Sequence, residues 1–200
     1  MAQNVYDNEE FFTGYIQLPR QQEGLHGGRD WPHTRALLPD LKGKRVVDLG
    51  CGIGHFCRYA RNEGAATVLG VDISENMISR AKASNSDIAV DYRILDLESL
   101  DLPEASFDFV YSALVFHYVE NFAGLVRAVY DALIPGSYFV FEIEHPVFTA
   151  TRKGEWIQEE ERWSWPVDRY STEGERIKDW FNTVSLPITK PCACHSEMLT

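Results

Sequence analysis

Residues 45–54 read RVVDLGCGIG, a short apolar run broken only by Asp48 and closed by three alternating glycines. The first half is too short for a helix and is rich in β-branched residues, which marks a strand buried on both faces. The second half, Gly50-x-Gly52-x-Gly54, is a bend leading into a helix over residues 55–63 that Gly64 stops. Glycine at such a bend allows positive φ and leaves bare amides against which a ligand can lie. The same residues also suit a plain strand-to-helix turn. The dinucleotide fingerprint would place its third glycine at position 55, where this chain has His55. A nicotinamide-dependent oxidoreductase is therefore disfavoured.

Outward from this stretch the chain repeats one pattern. A second strand over residues 67–71 ends at Asp72, and Ser74 then caps a helix carrying Met77, Ile78 and Ala81 at helical spacing. A third strand over 92–95 ends at Asp96, and a fourth spans 107–112. Phe122, Leu125, Val126, Val129 and Leu133 line one face of the next helix, which closes at Pro135 and Gly136 before a fifth strand over 138–143. Strands alternating with helices predict an α/β, doubly wound, Rossmann-like and mostly parallel sheet in three αβα layers. On the N-terminal side, Phe11, Phe12, Tyr15, Ile16 and Leu18 predict an amphipathic helix within 7–22, and Asp30 is the expected N-cap of a helix that stops before Pro39.

In doubly wound sheets ligands bind beyond the carboxyl ends of the strands. Asp48, Asp72 and Asp96, residues 112–117, and Glu144 with His145 all fall there. A carboxylate at position 72 can accept both hydroxyls of a ribose, and one at 96 can accept an adenine amino group. Alone, each is equally a helix-start or loop carboxylate. Together with the glycine bend they describe an adenosine cradle lined by acids, and acids favour a cationic ligand.

The chain has 19 Lys and Arg against 30 Asp and Glu, a formal net charge of −11. Such a surface repels phosphate backbones and anionic membranes, which argues against nucleic-acid and membrane partners. Its 200 residues, 44% hydrophobic, suit a single globular domain. No apolar run approaches the length of a membrane span. The start, MAQNVYDNEE, lacks the basic and apolar regions of a secretion signal. Cys51 and Cys57 flank the glycine bend and make no disulfide framework, so a cytoplasmic location is expected.

At this point a family resemblance is plain. Residues 46–54 resemble motif I of class I S-adenosylmethionine-dependent methyltransferases, and 71–77 (VDISENM) their second-strand motif. Asp96-Leu97-Glu98, residues 107–112 (FDFVYS) and Leu133-x-Pro135-Gly136 resemble three further segments. The set, covering residues 6–150, is similar to the ubiquinone- and menaquinone-biosynthesis subgroup, whose acceptors are mostly small molecules. The resemblance implies S-adenosyl-L-methionine as cofactor. It implies that Asp48, Gly50, Cys51 and Gly52 hold the methionine portion, Asp72 the ribose, and Asp96 with Leu97 the adenine. Ile73 and Met77 would pack on the adenine face, Ser112, Ala113 and Leu114 would pass the sulfonium, and Tyr15 would close over the methionine carboxylate.

Methyl transfer is an in-line displacement, so orientation carries most of it, and a base is needed only where the acceptor must lose a proton. His117, His145 and Glu144 are the candidates. The expected division is N-terminal helices over 1–43, a cofactor-binding core over 44–146, a lid or cap over 147–182 and an atypical tail over 183–200. The tryptophans of 148–181 fit either a lid over the acceptor or a loop covering the sheet edge. Cys192-x-Cys194-His195 has no second pair at zinc spacing, and no metal is expected. The family's sheet ends in a C-terminal hairpin. Here Pro187 weakens residues 184–189 to at most one short strand, so that hairpin is expected to be incomplete. The exposed sheet edge this leaves allows a homodimer. An S-adenosylmethionine-binding protein without catalytic activity is the alternative reading.

Overall fold

The computed structural model describes residues 4–151, 154–168, 170, 174–181 and 184–192. Its centre is a five-stranded parallel sheet: β1 (Arg45–Leu49), β2 (Thr67–Asp72), β3 (Val90–Ile94), β4 (Phe107–Ala113) and β5 (Leu133–Glu142), in the order β3-β2-β1-β4-β5. This is the expected α/β, doubly wound architecture. Chain order reverses between β1 and β4, which opens a crevice at their carboxyl ends.

Alternation along the strands sorts the core into two layers. Val46, Val68, Phe109 and Tyr111 face Phe56 and Cys57 of α4 (His55–Asn62) and Ile78 of α5 (Glu75–Ala83). Trp31 of α3 (Trp31–Ala36) joins them. Val47, Leu49, Val71 and Val110 face Leu125 and Val129 of α6 (Phe122–Ala132). The strand residues in both layers are fully or almost fully buried, as central parallel strands require.

Three local expectations are corrected. The N-terminal helix is two pieces, α1 (Glu9–Tyr15) and α2 (Pro19–Gln22), because Pro19 drives Leu18 into extended backbone (φ −62°, ψ 144°). Asp30 precedes α3 but makes no side-chain cap; its carboxylate instead takes a 2.7 Å ion pair from Arg20. Pro135 and Gly136 do not precede the fifth strand but lie inside it. β4 residues Phe107 and Phe109 face β5 residues Leu133 and Tyr138, so the intervening residues bulge, with Gly136 at φ +83°.

Beyond β5 the pattern changes. A short helix α7 (Pro146–Thr149) is followed by the hairpin β6 (Ile157–Glu159) and β7 (Arg162–Ser164). Trp165 stacks on Phe148 (5.6 Å between centroids, 6° between planes) and donates its indole N–H to the Val147 carbonyl. A second hairpin pairs β8 (Gly174–Phe181) with β9 (Val184–Cys192), so the tail forms a longer strand than residues 184–189 alone suggested. Pro187 and Pro191 fall within β9, opposite Asp179 and Glu175 of β8. The hairpin pairs with itself and not with the parallel sheet, which among the described residues ends at β5. Cys194 and His195 lie outside the described residues.

Candidate active site

A cavity of about 170 Å³ opens at the carboxyl ends of β1, β2 and β4. Its floor is the glycine bend after β1. Gly50, at φ +74°, lies so close to Val115 that a Cβ would sit 2.2 Å from that side chain, so only glycine fits there. Gly52, at φ +52°, has open space where its Cβ would be. The bend therefore presents bare backbone to the cavity.

The acidic strand tips surround this floor and are held in different ways. Asp72 accepts the Gly52 and Ser74 amide N–H groups, both at 2.9 Å. Burial pushes its carboxyl up, although those two N–H groups oppose the rise. Among the described residues Asp48 receives only the Cys57 thiol, at 3.3 Å. Burial pushes it up to about 7, with Asp72 adding to the rise and the thiol opposing it. Asp96 accepts the Glu98 N–H at 3.0 Å and so starts the 97–99 turn that places Leu97 on the wall.

The roof is the N-terminal segment. Asp7 accepts the Ser74 hydroxyl (2.5 Å) and the Glu75 and Asn76 N–H groups, so it caps α5 from outside and pins the segment beside Asp72. This leaves Tyr6 and Tyr15 over the cavity, with ring centroids 5.0 Å apart, and the Tyr118 hydroxyl 3.4 Å from that of Tyr6. Burial pushes the Tyr15 hydroxyl up to about 12, so it stays protonated and can donate to a ligand. His55 ties roof to floor: its Nε2 donates to the Gln21 carbonyl (3.1 Å), and its Nδ1 accepts from Arg58 (2.9 Å).

Ala113, the last residue of β4, and Leu114 after it line the cavity. Leu114 sits at φ +58°, which a bulky side chain rarely adopts, and its N–H is held by the Glu142 carbonyl at 2.8 Å. Ser112 is buried beneath them, its hydroxyl donating to the Leu49 carbonyl across the sheet.

The methyltransferase domain family matches residues 47–141. The crystal structure of an S-adenosylmethionine-dependent methyltransferase from Mesorhizobium loti is 50% identical and superposes with a TM-score of 0.74, over 76% of this chain and 70% of that one. The chain belongs to the class I S-adenosylmethionine-dependent methyltransferases. The malonyl-[acyl-carrier protein] O-methyltransferase of Enterobacter lignolyticus is 34% identical over 53% of this chain and 41% of its own length. Phosphoethanolamine N-methyltransferase 3 of Arabidopsis thaliana is 35% identical over 55% of this chain and 23% of its own. This chain thus spans less than half the length of these two curated relatives, and they do not single out the ubiquinone and menaquinone subgroup.

Within this methyltransferase, Tyr15, Asp48, Gly50, Cys51, Gly52, Asp72, Ile73, Met77, Asp96, Leu97, Ala113 and Leu114 converge on the one cavity, from segments far apart in sequence. Ser112 supports the wall from behind. His117, Glu144 and His145 are not among the lining residues. His117 flanks Tyr118, which is, at 4.4 Å between ring centroids. His145 is exposed and uses its Nδ1 to accept the Val147 N–H, so it caps α7. Sequence reasoning missed Tyr6, Arg20, His55 and Tyr111, which also line the cavity. A hydrophobic N-terminal segment carrying one Arg was the available signal, but its fold over the crevice is a tertiary fact. Among the described residues, no helix is long and apolar enough to cross a membrane, and no cluster of His, Cys, Asp and Glu could hold a metal ion.

Proposed function

We propose that this methyltransferase holds S-adenosylmethionine in the cavity above the glycine bend and delivers its methyl group to a small-molecule acceptor. What supports this most is the convergence of three acidic strand tips on a bare-backbone floor. The fit is chemical. Asp72 keeps lone pairs for a ribose diol while its near side is held by N–H groups, and Asp96 stands at the adenine end with Ile73 and Met77 as apolar walls. The Tyr111 hydroxyl, a buried polar group on the cavity wall, has no hydrogen-bond partner among the described residues. S-adenosylmethionine supplies a methyl group activated by its sulfonium. The protein's part is to bind, orient and exclude water, with Tyr6, Tyr15 and Tyr118 closing the roof.

The acceptor is read as small because the cavity is closed above by side chains. Among the described lining residues, Arg20 is the one permanent cation, and it already pairs with Asp30 and Glu142. That balance favours a neutral or cationic acceptor over a phosphorylated one. His117, beside Tyr118, is kept as the base for an acceptor that must lose a proton; His145 and Glu144 are secondary. We read residues 1–200 as one domain with 147–182 as its cap. The edge of β5, unpaired among the described residues and with Tyr138 and Phe141 exposed, is where a second copy would pair. The free thiols of Cys51 and Cys57 suit a reducing cytoplasm.

Calorimetric titration with S-adenosylhomocysteine, then methyl transfer to a panel of amines, phenols and carboxylates, tests the reading. Micromolar binding and turnover on a neutral or cationic compound are expected; no binding at millimolar ligand overturns it. For an acceptor that must lose a proton, His117→Ala is expected to lower turnover about 100-fold while leaving S-adenosylhomocysteine affinity unchanged.

A further inference from the structure

Two buried thiols flank the glycine bend, and methyl transfer uses neither sulfur as a nucleophile. Cys51 sits in the bend, on the cavity wall, with its Sγ 3.6 Å from the Gly52 carbonyl. Cys57, six residues on and in the first turn of α4, is fully buried and donates its thiol to Asp48 at 3.3 Å. Gly70 on β2 leaves room for that sulfur, since a Cβ there would sit 2.8 Å from it.

The two sulfurs interact directly. The hydrogen bond to Cys57, then burial, push the Cys51 thiol well above its ordinary range. Burial takes the Cys57 thiol up to about 11, opposed by the bond it receives from Cys51. These signs give the chain a direction: Cys51 donates to the Cys57 sulfur, and Cys57 donates to Asp48. Neither cysteine is a thiolate at neutral pH, so a dilute oxidant meets a slow partner and the pair stays reduced in a reducing compartment. Asp48, titrating near 7, stands ready to take a proton when a sulfur reacts.

We propose that Cys51 and Cys57 are an oxidation site which hydrogen peroxide closes to an intramolecular disulfide, and that closure weakens cofactor binding. The oxidant enters by the cavity and meets Cys51. Its sulfur attacks one peroxide oxygen, the O–O bond breaks, and the Cys51 proton leaves with the other oxygen as water. The Cys57 sulfur then attacks the resulting sulfenic acid while Asp48 takes the Cys57 proton. The S–O bond breaks, and the departing hydroxide recovers that proton from Asp48 as a second water. Two thiols lose two electrons, one peroxide becomes two waters, and Asp48 ends as it began.

Closure reaches the cofactor site in two ways. A disulfide bond is about 2.05 Å long, far shorter than a contact between thiols, so the bend is drawn toward α4. Gly52, whose N–H holds Asp72, lies in that bend. Closure also removes the thiol that opposes the rise of Asp48, which then carries less charge at neutral pH. The disulfide stands apart from the cofactor reading, and only its effect on affinity rests on that reading.

Trypsin cuts after Arg45 and Arg58, so peptide 46–58 carries both cysteines and neither Cys192 nor Cys194. Native protein is treated with hydrogen peroxide, blocked with iodoacetamide and digested, and that peptide is weighed. The expected product is unalkylated, about 2 Da lighter than the dithiol peptide, and returned to the dithiol by dithiothreitol. By calorimetry the oxidised native protein should bind S-adenosylhomocysteine about tenfold more weakly and recover on reduction. Cys57→Ala should keep one affinity before and after peroxide. A peptide that stays a dithiol, or that gains oxygen without forming the bridge, overturns the oxidation site. A bridge that leaves affinity unchanged, or an equal loss in Cys57→Ala, overturns the link to the cofactor. Reduced protein that does not bind S-adenosylhomocysteine overturns the cofactor reading, while the mass of peptide 46–58 still decides the disulfide.

Discussion

The tips of β1 and β2 carry the same residue type at matching places in the sheet and treat it in opposite ways. Asp72 is served by two backbone N–H groups, both from the turns that begin the local ligand wall. Asp48 is served by one thiol, a weak donor, and faces the aromatic layer under α4. Burial therefore leaves Asp48 near 7, on the edge between its charged and neutral forms. The lesson is that burial alone does not assign a role to a strand-end acid. The number and kind of donors aimed at it decide whether it is a fixed acceptor or one that responds to the charge of its ligand.

Four experiments break or sharpen that contrast. The largest effect is expected from Asp72→Asn, which keeps the shape but removes a charged acceptor of the ribose diol. S-adenosylhomocysteine affinity should fall about 100-fold by calorimetry, and the melting temperature should drop by several degrees as the Gly52 and Ser74 N–H groups lose their anion. A variant that binds normally would remove Asp72 from the ribose site.

Next comes the pH dependence of the β1 tip. Because Asp48 titrates near 7, affinity for a ligand whose α-ammonium group faces it should rise about tenfold between pH 6 and pH 8, and Asp48→Asn should flatten that slope. Stability moves the other way. The folded carboxyl lies above its unfolded value, so its contribution is fully present at acid pH and is lost as pH rises through about 7. Melting curves from pH 4 to 8 should show native protein losing this increment and Asp48→Asn lacking it.

Gly52→Ala probes the floor between the two tips. At φ +52° an alanine is strained by about 1 kcal/mol, and its methyl enters open cavity space, so ligand affinity should fall several-fold while melting drops only a few degrees. The smallest effect is expected from Cys57→Ala. Removing the thiol takes away the hydrogen bond that Asp48 accepts from Cys57, and the midpoint of the affinity-against-pH curve should move upward by a fraction of a unit.

Much of the cofactor half was legible because its determinants are local. An apolar run of strand length, a glycine bend, and an acid closing each strand are patterns of neighbours in sequence; 45–49 appears as read, and the strand read over 67–71 extends by one residue to Asp72. Ser74 caps its helix as expected, accepting the Met77 N–H at 3.1 Å. Elsewhere local signals competed. Asp30 looked like an N-cap until a distant Arg20 claimed its carboxylate. Pro135-Gly136 looked like a terminator, but pairing with β4 was strong enough to continue the strand through a bulge. His145 looked like a base after a strand end, and the fold uses its ring to cap four residues of helix. The Trp-rich stretch fitted either a lid or a loop over the sheet edge, and local pattern does not choose between them; in the structure Trp165 packs on Phe148 and Trp156.

What residue order determined unaided was the doubly wound sheet and the place of its ligand crevice, since strand length, glycine positions and terminal acids act through the backbone of their own segment. The tertiary structure decided the chemistry at the crevice: Arg20, Tyr111 and Glu142 come from 20, 111 and 142 along the chain and meet only after the N-terminal segment folds over β4 and β5. Side-chain electrostatics depends on distances through space, and those exist only once the layers have packed.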